Sequence, residues 1–159
     1  MDTQFKESQK FRQPWVWLVL LVCLGLVLSP VITGVVVNIG IILSLVLVGL
    51  AILLFASMRL SLKIDEAGVE YRFFPFQWKY KRYAWTELKN YYVRQYNPIW
   101  EYGGWGVRFN RFGRAYTVRG KYGLHLEFPN GKHLLIGTQK PKELEHVIAR
   151  TKQKDPAMP

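Results

Sequence analysis

The chain has 159 residues, half of them hydrophobic, with 22 Lys and Arg against 11 Asp and Glu and a formal charge of +11. That length holds one domain and an anchor, and a single cysteine, Cys23, excludes an internal disulfide and any thiol-based metal cluster. A chain this basic calls for an anionic neighbour: lipid headgroups, nucleic acid or an acidic protein.

The charge is unevenly placed. Only Lys6, Lys10 and Arg12 among the basic residues, and Asp2 and Glu7 among the acidic ones, precede residue 13, and residues 13–58 carry no charge at all. As one helix, the apolar run from Trp15 to Met58 would be more than about 60 Å long, twice the hydrocarbon core of a bilayer. Two passes fit better. The turn-forming residues available are Pro30, Gly34, Asn38 and Gly40. They predict helices over about 14–33 and 39–58, with a turn at 34–38. A signal peptide would begin with the same basic residues, but no small-residue cleavage pattern follows and a second full-length apolar segment does.

Lys6, Lys10 and Arg12 flank the first helix, Arg59 and Lys63 flank the second, and the turn has no charge. The positive-inside rule therefore predicts a multi-pass protein of the cell (inner) membrane with both termini cytoplasmic. Trp15 and Trp17 suit the interface at the first crossing. Neither helix contains an ionisable residue other than Cys23, which argues against a proton relay or an ion path. Residues 1–13 read as a cytoplasmic segment.

Residues 59–151 read as the soluble domain, with 152–159 a disordered tail. Leu60–Asp65 and Val69–Phe73 alternate apolar and polar about a turn at Glu66-Ala67-Gly68, a hairpin ended by Pro75. Further strands are expected at Trp78–Tyr83, Leu88–Tyr96, Gly106–Phe109 and Ala115–Arg119. In the last hairpin, a three-residue loop Pro129-Asn130-Gly131 pairs Leu126 with Leu134 and Leu124 with Ile136, and leaves Gly131 free for a positive φ. A helix at about 140–151 closes the chain. Its apolar stripe is Leu144, Val147 and Ile148, with Glu143 and Glu145 early and Arg150 and Lys152 late, as the helix dipole favours.

Seven or so antiparallel strands followed by one helix is the element order of a pleckstrin-homology-like (PH-like) barrel or sandwich. Trp85-Thr86-Glu87-Leu88 and Leu135-Ile136-Gly137-Thr138-Gln139-Lys140-Pro141 resemble segments of bacterial PH-like domains, which often follow one or two membrane helices. Glu101-Tyr102-Gly103-Gly104-Trp105-Gly106-Val107-Arg108 is similar to a segment of small two-pass bacterial membrane proteins of this kind. The resemblance spans nearly the whole chain. It implies a membrane helical hairpin joined to a mainly-β PH-like domain, and no activity.

Two surfaces stand out as candidates. The segment Tyr96–Tyr116 gathers seven aromatic rings, four glycines, and Arg108, Arg111 and Arg114 in 21 residues. Those arginines, with Trp100 and Trp105, suit a headgroup interface, where guanidinium forks grip phosphate and rings rest at the boundary. The plain alternative is that the rings fill the core. The second surface is a basic strand face of Lys79 and Lys81, with Lys63 and Arg72 nearby. A solvated sheet face is its plain alternative.

His125, Glu127 and His133 fall on one outer face of the last hairpin, with Glu127 opposite His133. Two histidines and a carboxylate without a fourth ligand read as an exposed polar group, so no metal and no cofactor is expected. His146, on the helix, reads as solvated. Catalytic signatures are missing: the chain has no Gly-x-Ser-x-Gly, no His-Glu-x-x-His and no phosphate-binding glycine loop. The expectation is a non-enzymatic membrane protein whose basic domain binds anionic lipid or a protein partner. A nucleic-acid module is the weaker reading, because the tether restricts access. In a third, the hairpin packs on a larger membrane complex through Gly25, Gly34, Gly40, Ser44 and Gly49.

Overall fold

The computed structural model describes residues 4–34, 38–109 and 113–154. They form two compact units: the helical hairpin Phe11–Met58, and a sheet-rich unit made from the strands on either side of it.

In the hairpin, α1 spans Pro14–Ile32 and α2 spans Ile39–Ser57. Each has 19 residues, which at 1.5 Å per residue gives about 28 Å, close to the thickness of a bilayer core. Both are long and apolar enough to cross a membrane, which fits a membrane protein. Pro30 does not end α1. Its missing N–H would have bonded the Leu26 carbonyl, and the Ser29 hydroxyl bonds that carbonyl instead at 2.9 Å. Asn38 caps α2 by accepting from the Ile41 N–H at 3.1 Å. Of the predicted 34–38 turn, residues 35–37 lie outside the described residues.

The sheet-rich unit starts earlier than the sequence suggests. Within residues 1–13, read from the sequence as a cytoplasmic segment apart from the soluble domain, Phe5–Lys10 is a strand, β1. It pairs antiparallel with β2 (Arg59–Ile64) from Phe5↔Ile64 to Lys10↔Arg59. The chain entering α1 and the chain leaving α2 are thus zipped side by side. Inward-facing Glu7 and Gln9 are polar, so no hydrophobic alternation marks the strand. Glu7 is buried and accepts from the Thr138 hydroxyl at 2.6 Å and the Gln139 N–H at 2.9 Å, while Gln9 donates to the Gly137 carbonyl at 2.8 Å.

The first sheet runs β1-β2-β3-β4, with β3 at Gly68–Phe74 and β4 at Lys81–Ala84. The third strand was expected over Trp78–Tyr83. Residues 75–80 instead form a loop, held by Gln77, whose N–H donates to the Phe73 carbonyl at 2.8 Å and whose amide reaches Tyr71 and Lys79 carbonyls. A short 3₁₀ turn, Trp85–Glu87, leads into the second sheet. That sheet comprises β5 (Asn90–Gln95), β6 (Gly106–Phe109), β7 (Gly113–Thr117), β8 (Tyr122–Glu127) and β9 (His133–Thr138), in the order β5-β8-β9-β7-β6. The sheet is mixed, because β7 and β9 run parallel from Gly113↔His133 to Tyr116↔Ile136. This corrects the all-antiparallel expectation.

The last hairpin has the predicted register: Leu126↔Leu134, Leu124↔Ile136 and Glu127↔His133. Phe128 and Lys132 close the loop at 3.0 Å, and Gly131 takes φ +74°. The core lies between the sheets. Leu60, Leu62, Ile64, Val69, Tyr71 and Phe73 are buried on one side, and Tyr116, Leu124, Leu126, Leu134 and Ile136 on the other. The Tyr116 ring meets Tyr71 at 5.0 Å and Phe73 at 6.0 Å.

The closing helix is α4, Pro141–Lys154, which ends three residues later than expected, and residues 155–159 lie outside the described residues. A further short helix, α3 (Pro98–Tyr102), was not foreseen. Leu144, Ile148 and Thr151 of α4 are buried, while Val147 is half-buried. Ile148→Val should lower the stability of the sheet-rich unit by about 1 kcal/mol, the usual cost of one buried methylene. Thermal unfolding of the detergent-solubilised chain checks this, and an unchanged midpoint would mean that α4 does not close the core.

Candidate functional site

The first sheet turns one face away from the core. In β1 and β2 the residues facing outward are Lys6, Ser8 and Lys10, then Arg59, Ser61 and Lys63, and in β3 they are Glu70, Arg72 and Phe74. The register sets Lys6 directly opposite Lys63, and Lys10 directly opposite Arg59. Like charges set opposite one another across strands repel, and at Lys63 the Glu70 carboxylate, directly opposite on β3, offsets this. Acid on the face is confined to Glu70 near its far end, where Arg82 binds it at 3.1 Å and also binds Asp65 at 2.8 Å.

Lys10, Arg59 and Phe74 form a row at one end of this sheet. It is the end that continues covalently into both apolar helices, through Phe11 and Met58. The 75–80 loop leaves from the same row. It carries exposed Phe76, Lys79 and a Trp78 that is 75 % exposed and meets Phe74 edge-on at 5.3 Å. Tyr80 lies under two cations, Lys63 at 4.3 Å and Arg72 at 4.7 Å. Lys79 therefore sits in a loop, not on a strand face, and exposed Lys81 begins β4. Sequence reasoning found Lys63, Arg72, Lys79 and Lys81. It missed Lys6, Lys10 and Arg59 as members of the face, because β1 was not visible.

The arginine and aromatic segment divides. Tyr96 and Tyr116 are core residues. Half-buried Trp105 is fixed by its indole N–H on the Gly120 carbonyl at 3.2 Å, and half-buried Tyr102 packs beside buried Tyr96, Ala115 and Leu135. Trp100, by contrast, is 88 % exposed on α3, and Phe109 is exposed at the end of β6 with the Arg114 guanidinium 5.6 Å from its ring. Arg108 and Arg114 are exposed on neighbouring strands β6 and β7, and Arg111 lies outside the described residues. Arg108 and Arg114 belong to the second sheet, Trp100 to α3, Lys79 to the loop after β3 and Lys81 to β4, and Phe109 and Arg114 line one cleft with Tyr71 and Tyr83 of the first sheet.

A third cluster corrects the expectation for the last hairpin. His125 was placed on a solvated outer face, yet it is 7 % exposed. The reason is tertiary: α3 and the glycine-rich turn after it fold over that face of the sheet, bringing Glu101 and Tyr102 over β5 and β8. The result is a cavity of about 520 Å³ lined by Tyr92, Arg94, Glu101, Tyr102, Gly113, His125, Glu127 and His133. Gly113 allows the wall to close, since a Cβ there would run into the backbone of His133.

Hydrogen bonds order the cavity. Arg94 binds Glu101 at 2.8 Å and donates through Nε to His125 Nδ1 at 3.4 Å. An arginine nitrogen only donates, so Nδ1 accepts and the ring proton sits on Nε2, facing His133 Nδ1 at 3.2 Å. Tyr92 donates to Glu127 Oε1 at 2.9 Å, and the same oxygen lies 3.7 Å from His125 Nε2. Burial, then the Arg94 charge and His133, push the His125 pKa down to about 4, with Glu127 and Glu101 opposing. Burial disfavours the Glu101 carboxylate, but bonds from Arg94 and the Asn97 N–H outweigh it and lower its pKa. Tyr92 is raised, by burial first and then by its bond to Glu127.

Neither a known family model nor any curated protein matches the chain.

Proposed function

We propose that the protein is a non-enzymatic, two-pass membrane protein whose PH-like domain binds anionic lipid headgroups with the outer face of its first sheet. The observation that carries this reading is the cationic face Lys6, Lys10, Arg59, Lys63 and Arg72, whose Lys10–Arg59 end, with like charges directly opposite, is continuous with both apolar helices. Three residues separate Lys10 from α1 and one separates Arg59 from α2. The pairing of β1 with β2 also supports a topology with both flanks of the hairpin on one side of the bilayer. With basic residues confined to those flanks, that side is the cytoplasmic one. Exposed Phe76 and Trp78 then rest among the headgroups, and Lys79 and Lys81 meet the leaflet charge.

Hydrogen exchange of the full chain in nanodiscs tests this. Each cation near an anionic leaflet contributes about 1 kcal/mol, so anionic lipid should slow exchange in residues 75–81 by at least about tenfold relative to neutral lipid. Replacing Lys63, Arg72, Lys79 and Lys81 together by glutamine should abolish the difference, and salt should weaken it. Equal exchange in the two lipids would overturn the reading. Protection confined to Tyr96–Tyr116 would move the contact to Arg108, Arg114 and Trp100.

A further inference from the structure

We propose that His125, Glu127 and His133 form a binding site for a late first-row divalent cation, zinc being the type. The site is independent of the lipid-facing sheet. It lies on β8 and β9, within the cavity under α3.

The spacing of the three ligand atoms suits a tetrahedral centre. Bonds of about 2.0–2.1 Å at the tetrahedral angle place neighbouring ligand atoms about 3.3 Å apart. His125 Nε2 lies 3.2 Å from His133 Nδ1 and 3.7 Å from Glu127 Oε1, and the three ligand atoms all lie within 4.8 Å of one another. The backbone fixes this convergence: Glu127 and His133 are cross-strand partners, and His125 is two residues before Glu127 on the same face. Two imidazoles and a carboxylate are the donor set that borderline cations prefer, and the cavity leaves a fourth position open for water or another donor. The Tyr92 hydroxyl on Glu127 is the kind of outer partner that holds a ligating carboxylate in place.

One neighbour sets the threshold. A cation at Nε2 takes the place of the ring proton, which moves to Nδ1 with no net proton release. Nδ1–H then faces the Arg94 Nε–H, donor against donor, so Arg94 must turn fully to Glu101, which it already binds at 2.8 Å. Arg94 thus opposes loading, and a side chain that accepts from Nδ1–H would favour it.

The test is zinc titration of the tag-free, detergent-solubilised full chain against a chromophoric chelator, with cobalt(II) as a spectroscopic probe of tetrahedral geometry. One zinc should bind per chain, and cobalt should give the intense visible bands of a tetrahedral site. His133→Ala and Glu127→Gln should each weaken binding by about 100-fold or more, taking the upper end of the loss known for outer partners as the floor for a ligand. His146→Ala should change nothing, and Arg94→Gln should tighten binding by about tenfold. Glu127→Gln preserves side-chain size and can still accept from Tyr92, so it remains informative if His133→Ala does not fold. The proposal is overturned if zinc does not saturate, if binding survives both ligand substitutions in folded protein, if His146→Ala removes it, or if Arg94→Gln weakens it.

Discussion

Trp85→Ala should destabilise the sheet-rich unit by about 3–5 kcal/mol, the range for emptying a large aromatic site in a packed core. Trp85 sits in the turn between β4 and β5, so it joins the two sheets. It is 1 % exposed and its ring lies 4.5 Å from Tyr91 of the second sheet. Its indole N–H donates to the Asp65 carbonyl at 3.2 Å, and its backbone N–H donates to Ala67 at 3.3 Å, both in the β2–β3 turn of the first sheet. Alanine keeps the backbone bond and loses the rest: the ring's buried area, the contact with Tyr91 and the partner of the Asp65 carbonyl. Trp85→Phe retains a ring, so its cost should be closer to about 1–2 kcal/mol, one hydrogen bond and a little volume. Denaturant unfolding of the full chain in detergent separates the two. A loss below about 1 kcal/mol for the alanine variant would mean that the sheets are held together elsewhere.

What the sequence discloses follows from how local each signal is. The two apolar helices are plain because a charge-free run interrupted by Gly34 and Asn38 needs no tertiary partner to be recognised. The last hairpin is equally plain, since only a three-residue loop puts Leu124, Leu126, Leu134 and Ile136 on one face. β1 is hidden because two of its three inward residues, Glu7 and Gln9, are polar and are satisfied by groups about 130 residues away. The parallel pairing of β7 with β9 is hidden for the same reason: no local pattern distinguishes a distant parallel neighbour from an adjacent antiparallel one. At the cavity, the spacing of His125, Glu127 and His133 was legible and its burial was not. That burial depends on α3, a five-residue helix begun by Asn97, whose side chain accepts from the Ile99 and Trp100 N–H groups at 3.1 and 3.2 Å. The signal that could have found it is Asn97-Pro98, a helix cap followed by proline at the first helical position.

Mild acid should cost the sheet-rich unit about 2 kcal/mol between pH 7 and pH 5, measured with a chelator present so that no metal competes for His125. In the folded chain the His125 pKa is held down to about 4, against about 6.5 for an unfolded histidine. The unfolded state therefore binds the proton more readily, and stability falls as pH drops through about 6.5 and keeps falling until the folded ring itself protonates near 4. Above about pH 7 the ring is neutral in both states and contributes no slope. The surroundings explain the sign. Tyr92 and Arg94 face the ring from β5, Glu101 and Tyr102 from α3, Glu127 from its own strand and His133 from β9. A proton added to His125 is buried beside the Arg94 guanidinium, and the two carboxylates only partly offset that repulsion. Replacing His125 by glutamine, which accepts from Arg94 but does not titrate, should flatten the acid limb whatever it does to stability at neutral pH. If the wild-type and His125→Gln curves fall in parallel from pH 7 to pH 5, some other group sets the acid sensitivity, and His125 is not held neutral by its cavity.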